Sequence, residues 1–232
     1  MSAARARKGR GDPAPPTERA AQPDAYDTLT RPGQSGEILI NKSRFYGFAR
    51  PIADEAAYQA FLQEVRAQYP DASHHCSCFI LGPGQITQRF FDDGEPSGTA
   101  GIPMLECLKK RGLTDAAIVV VRYFGGILLG AGGLVRAYSQ AAAAAMNAAG
   151  PARVERSPHL AVTVDYDALG KVQYNLAACP CRVLGSDFAD RVTLEVLVPQ
   201  REAANLTDQI LQWTDGRAQI ARISEEYCNW ED

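Results

Sequence analysis

Residues Val119–Tyr138 read VVVRYFGGILLGAGGLVRAY, and the rest of the chain is arranged around them. The unbroken apolar run from Ile118 to Val121 predicts a buried strand, which ends in Arg122, Tyr123 and Phe124. Five glycines follow within nine residues: Gly125, Gly126, Gly130, Gly132 and Gly133. Leu134 then opens an alanine-rich helix that Gly150 closes. Strand, glycine loop and helix in this order place free backbone N–H groups at a helix N-terminus, where anions bind. The same glycines also suit a tight crossover in which they only relieve crowding. Both readings stand on the residues alone.

Working outward, the N-terminal side supplies the elements such a strand needs beside it. Glu37–Ile40 and Phe45–Ile52 read as strands around a polar turn at Asn41–Ser43. Asp54 caps a helix with apolar positions Ala57, Tyr58, Phe61, Leu62 and Val65, and Pro70 ends it. His74–Leu81 and Ile86–Phe91 read as a hairpin, Asp92–Gly101 as a loop, and Thr99–Arg111 as a helix with Pro103 in its first turn. Residues 1–34 are rich in Ala, Arg, Pro and Gly, and the expectation for them is a disordered tail. Residues 35–150 then form a first domain, 151–158 a short polar link, and 159–232 a second domain. The latter reads β-α-β-β-α-β, the ferredoxin-like order.

Composition narrows the function classes. A hydrophobic fraction of 46% with 22% charged residues suits a soluble globular protein. No apolar stretch nears the roughly 18–20 residues of a membrane span, and no apolar segment follows the basic start as in a secretory signal. Six cysteines at this length read as reduced thiols of a cytoplasmic protein. Residues 1–36 carry a net charge of +2 and residues 159–232 one of −6, within −3 overall. That balance excludes a basic reader of DNA sequence.

Three carboxylates in four residues, Asp92, Asp93 and Glu95, are the strongest chemical candidates. Beside glycines they suit a divalent cation or acid–base work; they equally suit a turn whose Asp side chains cap the next helix. Arg122 is positioned to supply the opposite charge, in an Asp–Arg clasp or an anion site. His74, Cys76 and Cys78 alternate onto one strand face. Their spacing, like that of Cys179 and Cys181, is shorter than structural zinc sites use, so no metal or cofactor is expected. His74 suits a general base, but no nucleophile motif, P-loop lysine or nucleophile elbow accompanies it.

Three segments together, ASHHCSCF (Ala72–Phe79), DDGEPSGTAGIPML (Asp92–Leu105) and the stretch from Val119 to Tyr138, closely resemble the YigZ/IMPACT family. The resemblance covers about residues 36–150, and Tyr166, Gly170, Val172 and Leu176 extend it to the bacterial C-terminal domain. It implies an α+β fold: a two-layer α/β domain like the second domain of ribosomal protein S5, then a ferredoxin-like domain. The pair looks like domains IV and V of the translocating elongation factor G. The implied function is a cytoplasmic, translation-linked binding or regulatory protein whose partner is a ribosome, RNA or a translation regulator. Its recognition face would comprise His74, Asp92, Asp93, Glu95, Arg122, Tyr123, Phe124, Gly125, Gly126, Gly130, Gly133 and Arg136. The alternative is a small-molecule or phosphate-ester enzyme, with the glycine loop at a helix N-terminus and the Asp92/Asp93/Glu95 loop as metal or acid–base site. The chain departs from the pattern in reading Ala-Ser-His where the family usually has Ala-Thr-His. No RWD domain of the eukaryotic relatives is expected, so their role in amino-acid starvation signalling is not carried over.

Overall fold

The computed structural model describes residues 23–230. In chain order the elements are β1 (Ala25–Leu29), β2 (Gly33–Gln34), β3 (Ile38–Ile40), β4 (Ser43–Pro51), α1 (Glu55–Gln68), β5 (His74–Leu81), β6 (Thr87–Phe91), α2 (Gly101–Lys110), β7 (Ala116–Tyr123) and α3 (Gly130–Ala149). There follow β8 (Pro151–Val164), α4 (Tyr166–Leu176), β9 (Arg182–Phe188), β10 (Val192–Leu197), α5 (Gln200–Trp213) and β11 (Gln219–Asn229). The class is α+β, as expected.

The first sheet runs β2-β4-β7-β5-β6, with β3 beside β4 and every described pairing antiparallel. Strand β7 lies at its centre and is buried on both sides. Ile118 and Val120 join Met104, Leu108 and Ala141 under α2 and α3. Ala117, Val119 and Val121 face Tyr58, Phe61 and Val65 of α1. Two covered faces explain why the apolar run does not alternate with polar residues. Asp54 caps α1 by accepting the Ala57 N–H at 2.7 Å. Small residues let α3 lie close on β4: a Cβ at Gly47 would stand 2.3 Å from the Ala141 carbonyl oxygen.

The second sheet runs β11-β8-β10-β9, and α4 and α5 cover one face. Leu160, Val162, Leu194 and Val196 meet Val172, Leu176, Leu206 and Ile210 there. This is the ferredoxin-like arrangement.

Two expected boundaries are corrected. Residues 1–22 of the expected tail lie outside the described residues, but 25–34 carry β1 and β2. Strand β1 pairs antiparallel with the start of β8, from Ala25 opposite Glu155 to Leu29 opposite Pro151. Its other edge touches the first unit: the Thr114 N–H donates to the Asp27 carbonyl at 2.9 Å, and the Tyr26 hydroxyl donates to the Asp115 carboxylate at 2.5 Å. Leu29 is 2% exposed. One buried leucine and partners on both edges hold a segment whose composition predicts no structure. The expected link, 151–158, is the first half of β8. Its polar residues sit in a strand because β1 and β11 hydrogen-bond its backbone.

Candidate functional site

The register of β5 against β7 sets His74 opposite Arg122. Arg122 follows Ile118 and Val120 onto the α2–α3 face, and there it meets Glu95. Arg122 Nη1 donates to Glu95 Oε1 at 2.6 Å, with both side chains at most 5% exposed. The Tyr138 hydroxyl donates to the same oxygen at 2.7 Å. His74 Nε2 stands 3.8 Å from it. Arg122 Nη2 also reaches Ser43 Oγ at 3.2 Å, which accepts the Gly125 N–H as well. Burial pushes the Tyr138 phenol upward, so it stays protonated and donating. Burial likewise raises the Cys76 thiol, whose sulfur lies 3.3 Å from the Tyr138 hydroxyl.

Asp92 and Asp93 do other work. Asp92 accepts the backbone N–H groups of Gly98, Ala100 and Gly101 at 2.7–3.1 Å and so holds the start of α2. Asp93 accepts the His75 N–H at 2.7 Å and faces Arg66 at 3.3 Å, while its carbonyl meets His74 Nδ1 at 2.9 Å. The carbonyl can only accept, so His74 Nδ1 is the donor, and Nε2 is the ring nitrogen turned towards Glu95. The three carboxylates therefore do not converge. The expectation of a shared metal or acid–base loop is corrected, and so is the Asp–Arg clasp, because Glu95 is the partner of Arg122. Among the described residues no group of three His, Cys, Asp or Glu is arranged to hold a metal ion.

A cavity of about 340 Å³ opens in front of this cluster. His74, Glu95, Arg122, Phe124 and Gly130 of the expected face line it, with Pro96, Leu128, Leu129, Ala131 and Leu134. Beyond Arg122 the chain leaves β7 and lies against the turn between β3 and β4, where a Cβ on Gly125 would stand 2.1 Å from the Lys42 carbonyl carbon. The loop then presents Phe124 at 47%, Ile127 at 43% and Leu128 at 85% exposure.

Other expected residues fall outside the lining. Strand alternation sends Tyr123 to the opposite face, where it sits under Arg44 and beside Tyr46. Gly125, Gly126 and Gly133 shape the loop and helix start, and Arg136 is exposed further along α3. Ser43 and Tyr138 are the polar members that sequence reasoning missed. Tyr138 carried a signal, as the one aromatic on an otherwise small-residue helix four positions after Leu134; Ser43 carried none.

An antiparallel α/β unit with a buried Arg–Glu–Tyr cluster, joined to a ferredoxin-like unit, is a two-domain architecture found in known proteins. The Impact N-terminal domain matches residues 41–146, and a domain of unknown function, DUF1949, matches residues 162–217. The chain is 37% identical over 196 residues to the IMPACT family member YvyE of Bacillus subtilis, covering 84% of this chain and 90% of that protein. It is 36% identical over 188 residues to YigZ of Escherichia coli, covering 80% and 92%. A crystal structure titled as that of a hypothetical protein superposes with a TM-score of 0.61 at 34% identity, over 88% of this chain and 99% of the other. The chain belongs to the IMPACT family.

Proposed function

We propose that this protein is a translation-linked binding protein of the cytoplasm, and that it meets its partner with the face around the loop from Phe124 to Leu129. The observation that carries the reading is the contrast within this face. Its polar groups are fixed from behind by Glu95, Tyr138 and Ser43, while Phe124, Ile127 and Leu128 stand exposed in front. Exposed apolar residues grouped beside a cavity mark interaction sites. Family membership supports translation as the setting. Among the described residues, no helix is long and apolar enough to cross a membrane. With residues 159–232 at −6, attraction of the second unit to a phosphate backbone is weak, which leaves the contact to the first unit.

Leu128→Asp tests this without disturbing the core, since the side chain is 85% exposed. The wild-type protein is expected to sediment with ribosomal particles at low and moderate salt, and Leu128→Asp to stay in the supernatant with an unchanged melting temperature. Equal co-sedimentation of the two would remove this face from the contact. A wild-type protein found only in the supernatant would end the translation reading.

A further inference from the structure

We infer that the outer edge of β6 docks a second copy of this chain. The two β6 strands pair antiparallel about Phe90, and Arg89 of each copy reaches the cavity between α1 and β6 of the other.

The edges of the two sheets differ in how they are protected. Strands β2 and β3 hold two and three residues, and β9 and β11 each carry a register shift against their neighbours. Short strands and bulges keep sheet edges from pairing with other chains. β6 has neither device: Thr87–Phe91 follow β5 in unbroken register and include no proline or lysine. No described strand pairs with its other side. Phe90 and Phe91 are both exposed at this edge, and so is Ile102 of α2. Phe90, opposite Cys78, lies on the α2 side against Gly101. Arg89, opposite Phe79, lies on the α1 side with Phe91.

A two-fold axis normal to the sheet keeps every side chain on its own face, so two copies meet with one residue opposite itself. An axis at Arg89 sets two guanidinium groups against each other, which is destabilising. An axis at Gln88 carries Phe91 beyond the end of the other strand. An axis at Phe90 carries only Thr87 and Gln88 beyond it. That register sets the two Phe90 rings together and Arg89 opposite Phe91 of the other copy.

The α1 side is shaped for that arginine. A cavity of about 350 Å³ lies there, lined by Tyr58, Leu62, Arg66, Phe91, Asp92 and Asp93 among others. Phe91 stacks nearly parallel on Tyr58, with 6.1 Å between ring centres. Two carboxylates and one guanidinium leave the lining with a formal net charge of −1. Asp93 is 34% exposed, and its Oδ1 stands 3.3 Å from Arg66 while Oδ2 takes the His75 N–H. Aromatic rings beside an accessible carboxylate suit a cation on an apolar stem. Arg89 is such a group: it donates to the Gln88 carbonyl and has no carboxylate partner among the described residues. The two-fold axis makes the contact twice.

Sedimentation velocity of the full chain, from low to high micromolar concentration, tests the association. The dimer fraction is expected to rise with concentration. Arg89→Glu is expected to weaken the dimer about tenfold or more at an unchanged melting temperature, since the side chain is exposed. A second variant reads the register. Phe90→Cys places two thiols at the axis, within the about 4.4–6.8 Å between Cα atoms that a disulfide spans. Oxidised glutathione should link them, releasing two molecules of reduced glutathione per cross-link. Gln88→Cys, four residues out of register with itself, should not cross-link; peptide mass mapping separates these products from those of the six native cysteines. A chain that stays monomeric throughout overturns the inference. So do dimers that Arg89→Glu leaves intact, or a Phe90→Cys cross-link no more abundant than that of Gln88→Cys.

Discussion

Replacing Arg122 with alanine tests the centre of the site most directly. The substitution removes the guanidinium from between the rings of Phe45 and Phe124, each 5.4 Å away. It leaves the Glu95 carboxylate, 3% exposed, with Tyr138 as its one remaining hydrogen-bond donor among the described residues. Breaking a buried pair by removing one partner costs about 3–5 kcal/mol, because an uncompensated charge stays behind. For a chain of this size each kcal/mol shifts the melting temperature by about 2–4 °C, so a fall of roughly 6–20 °C is expected. Arg122→Met combined with Glu95→Gln removes both charges together and should regain much of that loss. Urea unfolding followed by far-ultraviolet circular dichroism measures each variant. Both tryptophans, Trp213 and Trp230, lie in the second unit, so their fluorescence shows whether that unit melts with the first. A loss below about 1 kcal/mol for Arg122→Ala, or a double variant no better than the single one, would refute the clasp.

Other perturbations follow from the same geometry. Gly125→Ala drives a Cβ to within 2.1 Å of the Lys42 backbone, so the loop must lift off the turn; limited proteolysis within residues 124–129 should accelerate. Gly47→Ala meets the Ala141 carbonyl at 2.3 Å and should cost at least about 1–3 kcal/mol by thermal melt. Tyr26→Phe loses the hydroxyl bonded to Asp115 and should cost about 1.5–3 kcal/mol in urea unfolding. The thiols of Cys76 and Cys78 are raised by burial, so the folded state keeps protons that the unfolded state releases above the ordinary value of 9.0. Stability from these groups is full well below that value and should fall by about 1 kcal/mol for each thiol between pH 9 and 10. Cys76→Ala with Cys78→Ala should flatten that slope, and an unchanged slope would count against the assignment.

Strands and helices were legible where side chains carry the period. The run from Ile118 to Val121 marks a strand covered on both faces, and Ala57 to Val65 marks one face of α1. Strand β1 was not legible, because Leu29 alone anchors it and its partner lies in a stretch that reads as a polar link. At the site, Arg122 and Glu95 were both legible as candidates, but their pairing was not. Asp92, Asp93 and Glu95 are chemically alike in sequence. What separates them is a turn in which Asp93 takes a φ of +44°, together with the β5–β7 register that brings His74 beside Arg122. Tyr123 and Arg122 are neighbours in the motif, yet the pleat of β7 sends them to opposite faces.

The pairing of β1 with β8 also bears on how the chain is made. Ala25 leaves the ribosome about 130 residues before its partner Glu155, an interval of roughly 6–26 s at ordinary synthesis rates of 5–20 residues per second. The first unit can assemble its sheet and helices during that delay, since β2 to α3 lie wholly between the two strands. β1, the earliest described strand, would then be among the last to dock, closing the second sheet from the far end of the sequence. Until then the N–H and C=O groups on the edge that β8 will cover stand open, so slowed synthesis across residues 30–150 should lengthen the time the nascent chain is open to chaperones or to pairing with a neighbour.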